Sequence, residues 1–228
     1  MAFLCLVPVS ASSQSKTYSL DAYPFPHAIP LKQWRSVLAR ASPMDSRWRE
    51  VPCRGGAPAL ACASDRADRL ERHLRDLPPK QQVAGVYAFY NAFRYRHDHG
   101  DCGTNCWATP LEFIAQRSGD CHDYVVAEYL TLRRLGFDNR DLQLLIVQMK
   151  GSDDPFAGGH MVLRVRLPDR DYVLDNRKRS FGGPGALKQY KVLAGLDARN
   201  IEIYEGPLAR GVKVARPAAS RLRTQAKD

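Results

Sequence analysis

The chain has 228 residues, of which 44% are hydrophobic, enough for one domain with a sizeable core and too few for several. Its formal net charge of +10, from 34 basic against 24 acidic residues, would suit an acidic partner. No arginine-rich run, zinc-finger spacing or RNA-binding signature goes with that charge, so a solvated basic surface is expected and no nucleic acid.

In chain order, residues 1–15 read as a truncated signal segment and spacer. The opening Met-Ala-Phe-Leu-Cys-Leu-Val-Pro-Val is apolar, far short of the roughly 20 residues of a membrane span, and is followed by Val9-Ser10-Ala11, a small-residue cleavage pattern. The basic segment that normally precedes such a run is missing, so the true start is expected upstream or trimmed away. Export, to the periplasm or beyond, is the expectation, with no stable membrane span. Residues 16–215 are expected to form one domain, and 216–228 a basic, disordered tail.

The prolines of 21–30 favour an extended arm. Trp34, Val37 and Leu38 start a short helix, and a loop rich in proline and glycine over 43–58 carries Cys53. Ser64 is placed to cap a second helix running to about Leu77. Pro78 and Pro79 suit a helix start, and Val83, Val86, Tyr87, Tyr90 and Phe93 carry the apolar stripe of a long helix ending near His97. The loop His97-Asp-His-Gly-Asp-Cys-Gly-Thr-Asn-Cys106 has two histidines and two cysteines, but its spacing matches no common zinc module, and a loop disulfide is preferred. Trp107-Ala-Thr-Pro-Leu-Glu-Phe113 then turns into a short helix that ends before Ser118.

The best-marked helix follows. Asp120 is a good N-cap, Asp123 is the acidic arm of a capping-box-like start, and Cys121 takes the first helical position. Tyr124, Val125, Tyr129, Leu132 and Leu135 recur at helical spacing, Arg133 and Arg134 occupy the last turn, and Gly136 supplies the residue after the end. A thiol at that position meets unpaired N–H groups and the positive end of the helix dipole, which favour thiolate. For any single cysteine among six the commoner states are a small buried residue or half of a disulfide. Six cysteines are many for a cytosolic chain, and Cys53 with Cys62 and Cys102 with Cys106 are each close enough to close a short loop, leaving Cys121 as the free thiol beside Cys5 of the signal.

Beyond Gly136 the pattern becomes extended. Residues 142–149 form an apolar run, 160–167 alternate, and 172–174 and 201–204 are short and strand-like. Helices first and strands last argue for an α+β domain, with helices packed on an antiparallel sheet. His160 opens one strand and Asp175 closes the next. If the two strands pair as a hairpin, these side chains become neighbours. A lone His at a strand start is more often a surface or satisfied core residue, and Asp before Asn more often a turn former. Order and context together suggest a thiol nucleophile, an imidazole base and an orienting carboxylate: Cys121, His160 and Asp175.

With these motifs, Asn91 to Tyr95, Trp107 to Phe113, Gly119-Asp-Cys-His-Asp-Tyr124, Leu135-Gly136, Gly159-His-Met-Val-Leu163 and Val173-Leu-Asp-Asn176, the chain resembles the bacterial transglutaminase-like, LapG-like, cysteine peptidases over roughly residues 30–205. The resemblance implies a papain-like or transglutaminase-like fold, the triad Cys121, His160 and Asp175, a periplasmic location, and a protein substrate, by analogy a surface adhesin. It also implies a calcium site at Asp120 and Asp123, but the related branch reads Asp-Cys-Glu-Asp where this chain has His122. Imidazole is a poor calcium ligand, so weak or absent calcium dependence is expected and no cofactor is required. Acyl transfer to an amine with the same triad, and a non-catalytic envelope binding module, are the alternative functions.

Overall fold

The computed structural model describes residues 15–23, 29–97, 107–151 and 159–204. The signal segment, the Cys102–Cys106 pair and the basic tail lie outside the described residues. Five helices, α1 (Ile29–Arg49), α2 (Ala59–Leu74), α3 (Pro79–Asn91), α4 (Pro110–Gln116) and α5 (Cys121–Arg134), precede the strands β4 (Leu142–Met149), β5 (Gly159–Arg166), β6 (Asp171–Leu174), β7 (Tyr190–Leu196) and β8 (Asn200–Tyr204). Together with β1 (Ser15–Ser19) these strands form a six-stranded sheet in the order β1-β8-β7-β4-β5-β6, and every pairing in it is antiparallel. The fold is α+β.

The core sits around α5, which packs against α3 and α4 on one side and against β4 and β5 on the other. A helix enclosed on both flanks must be apolar over most of its circumference, and Val126, Ala127, Tyr129 and Leu132 are fully buried. The far end of α5 is tied to the helical layer by Arg134, whose guanidinium holds Asp45 of α1 at 2.7 Å and Glu71 of α2 at 2.5 Å. The opposite face of the sheet carries a smaller cluster of Leu145, Val147, Val162, Val173 and Tyr190, overlaid by Leu187.

Several element boundaries differ from those the sequence predicts. Helix α1 does not stop before Pro43 but runs through it to Arg49. The hydrogen bond lost at proline is offset there by tertiary contacts, since Met44 accepts from Thr109 and Asp45 pairs with Arg134. Helix α2 begins at Ala59, so Ser64 lies inside it, buried, and not at its cap. Cys53 and Cys62 form a disulfide that fastens the preceding loop to the first turns of α2. Helix α3 ends at Asn91, short of His97, because Asn91 turns its amide back to the Tyr87 carbonyl and onto Glu128 of α5. The chain then enters β2 (Arg94–Tyr95), which pairs in parallel with β3 (Ser118–Gly119), immediately before the nucleophile helix.

Candidate active site

Three features of sequence build the start of α5. Asp120 accepts the His122 N–H at 3.0 Å, and Asp123 returns to accept the Asp120 N–H at 3.0 Å, completing a reciprocal capping box. The second oxygen of Asp123 accepts the Ala108 N–H at 2.8 Å, so the Trp107-Ala-Thr segment is fastened over the helix start. Gly119 is required by close approach, since a Cβ there would lie 2.5 Å from the Asp123 carboxylate and 2.8 Å from its Cβ. Cys121 sits at the first helical position, where its own N–H has no intrahelical acceptor. It is the free cysteine among the described residues.

The antiparallel register of β5 and β6 ends at the pair Leu163↔Leu174, so Asp175 stands diagonal to His160, within reach of a long side chain. His160 Nε2 and Asp175 Oδ1 are 2.8 Å apart, and both residues are almost completely buried. Asp175 Oδ1 also accepts the Arg177 N–H at 3.0 Å, and Oδ2 accepts the Tyr190 hydroxyl at 2.7 Å. Tyr190 further packs beside the imidazole, with ring centroids 5.8 Å apart. With Nε2 committed to Asp175, Nδ1, which has no nitrogen or oxygen partner among the described residues, is left for the thiol of Cys121. Imidazole and thiol each shift the other's proton affinity. The structure thus brings Cys121, His160 and Asp175 together and adds Tyr190, which sequence reasoning missed. Strand β7 reads ambiguously because Ala194 and Gly195 interrupt its alternation, and only the fold carries it alongside β4.

A second imidazole borders the same thiol. His122 Nδ1 lies 2.7 Å from Asp120 Oδ1 and Nε2 lies 3.7 Å from Asp123 Oδ1. Its ring lies nearly parallel to the indole of Trp107, at 20° and 5.4 Å between centroids. Burial disfavours the charged ring, but the hydrogen bonds to Asp120 and Cys121 and the charges of Asp123 and Asp120 outweigh it and lift its pKa to about 10. Burial likewise raises the Cys121 thiol. Hydrogen bonding to His122 and His160 and the His160 charge more than offset this and the repulsion of Asp120, bringing the thiol down to about 7. For His160, burial is outweighed by its bonds to Asp175 and Cys121, so its pKa rises. For Asp175, burial is outweighed by His160, Tyr190 and the Arg177 N–H, so its pKa falls. Burial raises the pKa of the neighbouring Glu128 well above its ordinary value, against the Asn91 bond and with the Asp175 charge adding to it.

A thiol lowered in pKa beside an imidazole raised in pKa, at the mouth of a helix, is suited to attack on a carbonyl carbon. Residues 77–182, which contain Cys121, His160 and Asp175, match the profile of the bacterial transglutaminase-like cysteine proteinases. That segment, a little under half of the chain, is similar to this family. Solved structures of Legionella pneumophila LapG share its fold at 21% identity. The EGTA-treated form aligns with a TM-score of 0.58 over 73% of this chain and 86% of that chain. The calcium-bound form gives 0.54 over 72% and 84%, and a further LapG structure gives 0.57 over 75% and 92%. No curated protein sequence matches the chain. The family is one of cysteine peptidases, and this protein is an enzyme of that class acting on protein. Among the described residues no helix is long and apolar enough to cross a membrane.

The calcium-bound relative makes the fit of that ion worth testing here. Calcium takes about six to eight oxygens, whereas among the described residues the side chains gathered within 4.8 Å of one another at the helix start are one carboxylate, one thiol and one imidazole, from Asp120, Cys121 and His122. The carboxylate oxygens that face one another across the helix start are engaged by backbone N–H groups and by the His122 ring. Among the described residues this donor set is poor in oxygen for calcium.

Proposed function

We propose that the protein is an endopeptidase of the periplasm that cleaves an exported or surface protein, with Cys121 as nucleophile, His160 as acid and base, and Asp175 as the residue that fixes the imidazole. The supporting observation is the buried relay at the start of α5: a thiol lowered to about 7 beside an imidazole fastened at 2.8 Å to a carboxylate. In this reading the Cys121 thiolate bonds to the peptide carbonyl carbon, and the imidazolium of His160 gives its proton to the departing amine as the C–N bond breaks. Water then adds to the thioester, passing a proton to His160, and the acid is released as the thiolate leaves. The N–H of Cys121, without an intrahelical acceptor at the helix start, is the donor assigned to the oxyanion in this reading. Asp175, its charge held by Tyr190 and the Arg177 N–H, keeps Nε2 protonated so that Nδ1 meets the thiol.

Periplasmic location is supported by the apolar opening of the chain and by the Cys53–Cys62 disulfide, since such bonds persist in oxidising compartments. A large surface adhesin is the substrate class that the likeness to LapG suggests. The test compares the envelope and secreted proteins of cells producing the wild-type enzyme with those producing Cys121→Ala, read as new protein termini. Termini that appear only with the wild type are expected, and cleavage retained by the alanine variant would overturn the assignment of the nucleophile.

A further inference from the structure

We propose that the cavity on the outer face of the sheet, walled by Lys150, Arg164 and Lys191, binds an acidic segment of the protein substrate and holds it beside the catalytic relay. The cavity measures about 460 Å³, far more than a water or a single ion fills and within the range of sites that take organic groups. Leu145, Leu187 and Val192 give it an apolar lining with the three cations around them, and among the described residues that line it none is acidic. This combination suits a ligand with an apolar body and carboxylates, and it repels a basic one.

Arg164 gives the sign that an acceptor is missing. It donates to Gln143, and Gln143 donates to Glu202 at 3.0 Å, so the charge of Glu202 reaches Arg164 across an amide. Glu202 is occupied further by the hydroxyls of Ser15 at 2.6 Å and Tyr204 at 2.8 Å. The Nε of Arg164 is buried and has no hydrogen-bond partner among the described residues. Buried donors are paired in nearly all cases, and a carboxylate is the acceptor that matches guanidinium geometry.

Strand register brings the lysines to the same place as the relay. Met149, the last residue of β4, pairs with Tyr190, and Gln148 pairs with Lys191 on one side and with Gly159, the neighbour of His160, on the other. Cavity and imidazole therefore share one end of the sheet. Tyr190 forms part of the cavity wall, while its hydroxyl reaches Asp175 at 2.7 Å and its ring centroid lies 5.8 Å from that of His160. An extended chain advances about 3.3 Å per residue, so a few residues of substrate span the ring that separates imidazole from cavity. The net charge of +10 draws an acidic chain toward the protein before it docks.

The proposal rests on the peptidase reading above, and its test reads binding apart from cleavage. The probe is a fluorescein-labelled peptide of alternating glutamate and leucine, compared with the same peptide carrying glutamine for glutamate. Binding is followed by fluorescence anisotropy on the full-length Cys121→Ala protein. The glutamate peptide is expected to bind about tenfold or more tightly than the glutamine peptide, and to weaken as salt is raised. Adding Lys150→Gln with Lys191→Gln, or Arg164→Gln by itself, should weaken it by about tenfold. With Cys121 restored, the double lysine variant should alkylate at the wild-type rate. No binding of the glutamate peptide, equal binding of the two peptides, or equal affinity with and without the lysines, as capture by the basic tail alone would give, would overturn the proposal. These outcomes leave the peptidase assignment untouched, since that one falls on cleavage retained by Cys121→Ala.

Discussion

Cys121 carries two opposing influences, and their balance decides when the enzyme is reactive. Burial alone would raise the thiol above its ordinary 9.0, yet the two imidazoles bring it to about 7. A lowered pKa means that thiolate persists down to that pH, so alkylation of Cys121 should climb through a midpoint near pH 7 and level off above it. At pH 7 about half the thiol is ionised, roughly fifty times the fraction of a thiol at 9.0. A midpoint near 9 in a rate-against-pH titration would show that the imidazoles do not support it. Tyr190→Phe keeps the ring that packs beside His160 but removes the 2.7 Å donor to Asp175 Oδ2, leaving a buried carboxylate oxygen unpaired at a cost of about 1–3 kcal/mol. The Asp175 carboxyl then rises and holds the imidazolium less firmly. The variant should lose about tenfold or more in kcat/KM, shift the alkylation midpoint upward and melt several degrees lower. Equal kcat/KM in the two proteins would remove Tyr190 from the relay.

At the scale of elements, the start of α5 depends on a close approach that tolerates no side chain at residue 119. In Gly119→Ala the new methyl would meet Asp123 at 2.5 Å and Phe113 at 3.0 Å. Asp123 has little freedom to move aside, because its oxygens hold the N–H groups of Asp120 and Ala108. Overpacking of this kind costs about 1–3 kcal/mol. The gain from replacing glycine by alanine, roughly 0.5–1 kcal/mol where the backbone is regular, is smaller, so the variant should be less stable in urea and slower to alkylate at Cys121. Unchanged stability would mean the capping box is looser than its distances indicate. Local signals of this kind were readable beforehand. Asp120, Asp123 and Gly136 bracket α5 because capping and the left-handed residue after a helix, here at φ 100°, are chemistry of neighbouring residues. The end of α1 was not readable, because Pro43 is a stop signal by propensity. What carries the helix past it comes from elsewhere in the chain: Thr109 donating to Met44 and Arg134 pairing with Asp45. Strands β1 and β7 went unseen for related reasons, β1 being polar and exposed and held at the sheet edge by backbone pairing with β8.

On the scale of the molecule, a chain whose α2 must be anchored before the family segment begins uses a covalent link. The Cys53–Cys62 bond closes a separation of 9 residues. By loop entropy it is worth about 2.5–3 kcal/mol, equivalent to roughly 5–10 °C in melting temperature for a chain of this size. The paired variant Cys53→Ala with Cys62→Ala should melt lower by that amount and keep the alkylation rate of Cys121, since the bond lies outside the site. Loss of Cys121 reactivity in that variant at temperatures where it remains folded would mean instead that α2 positions the nucleophile.

The sequence by itself determined the class of fold, the nucleophile helix with both of its ends and the residue types of the site. All of these follow from periodicity, capping or short separations along the chain. Tertiary structure alone decided that Tyr190 anchors Asp175 and that the His122 ring sits between Asp120 and Asp123 with Trp107 across it. The reason is physical: a side chain's partner is set by sheet register, by the crossing of segments and by the direction of a rotamer, and none of these is a property of neighbouring residues.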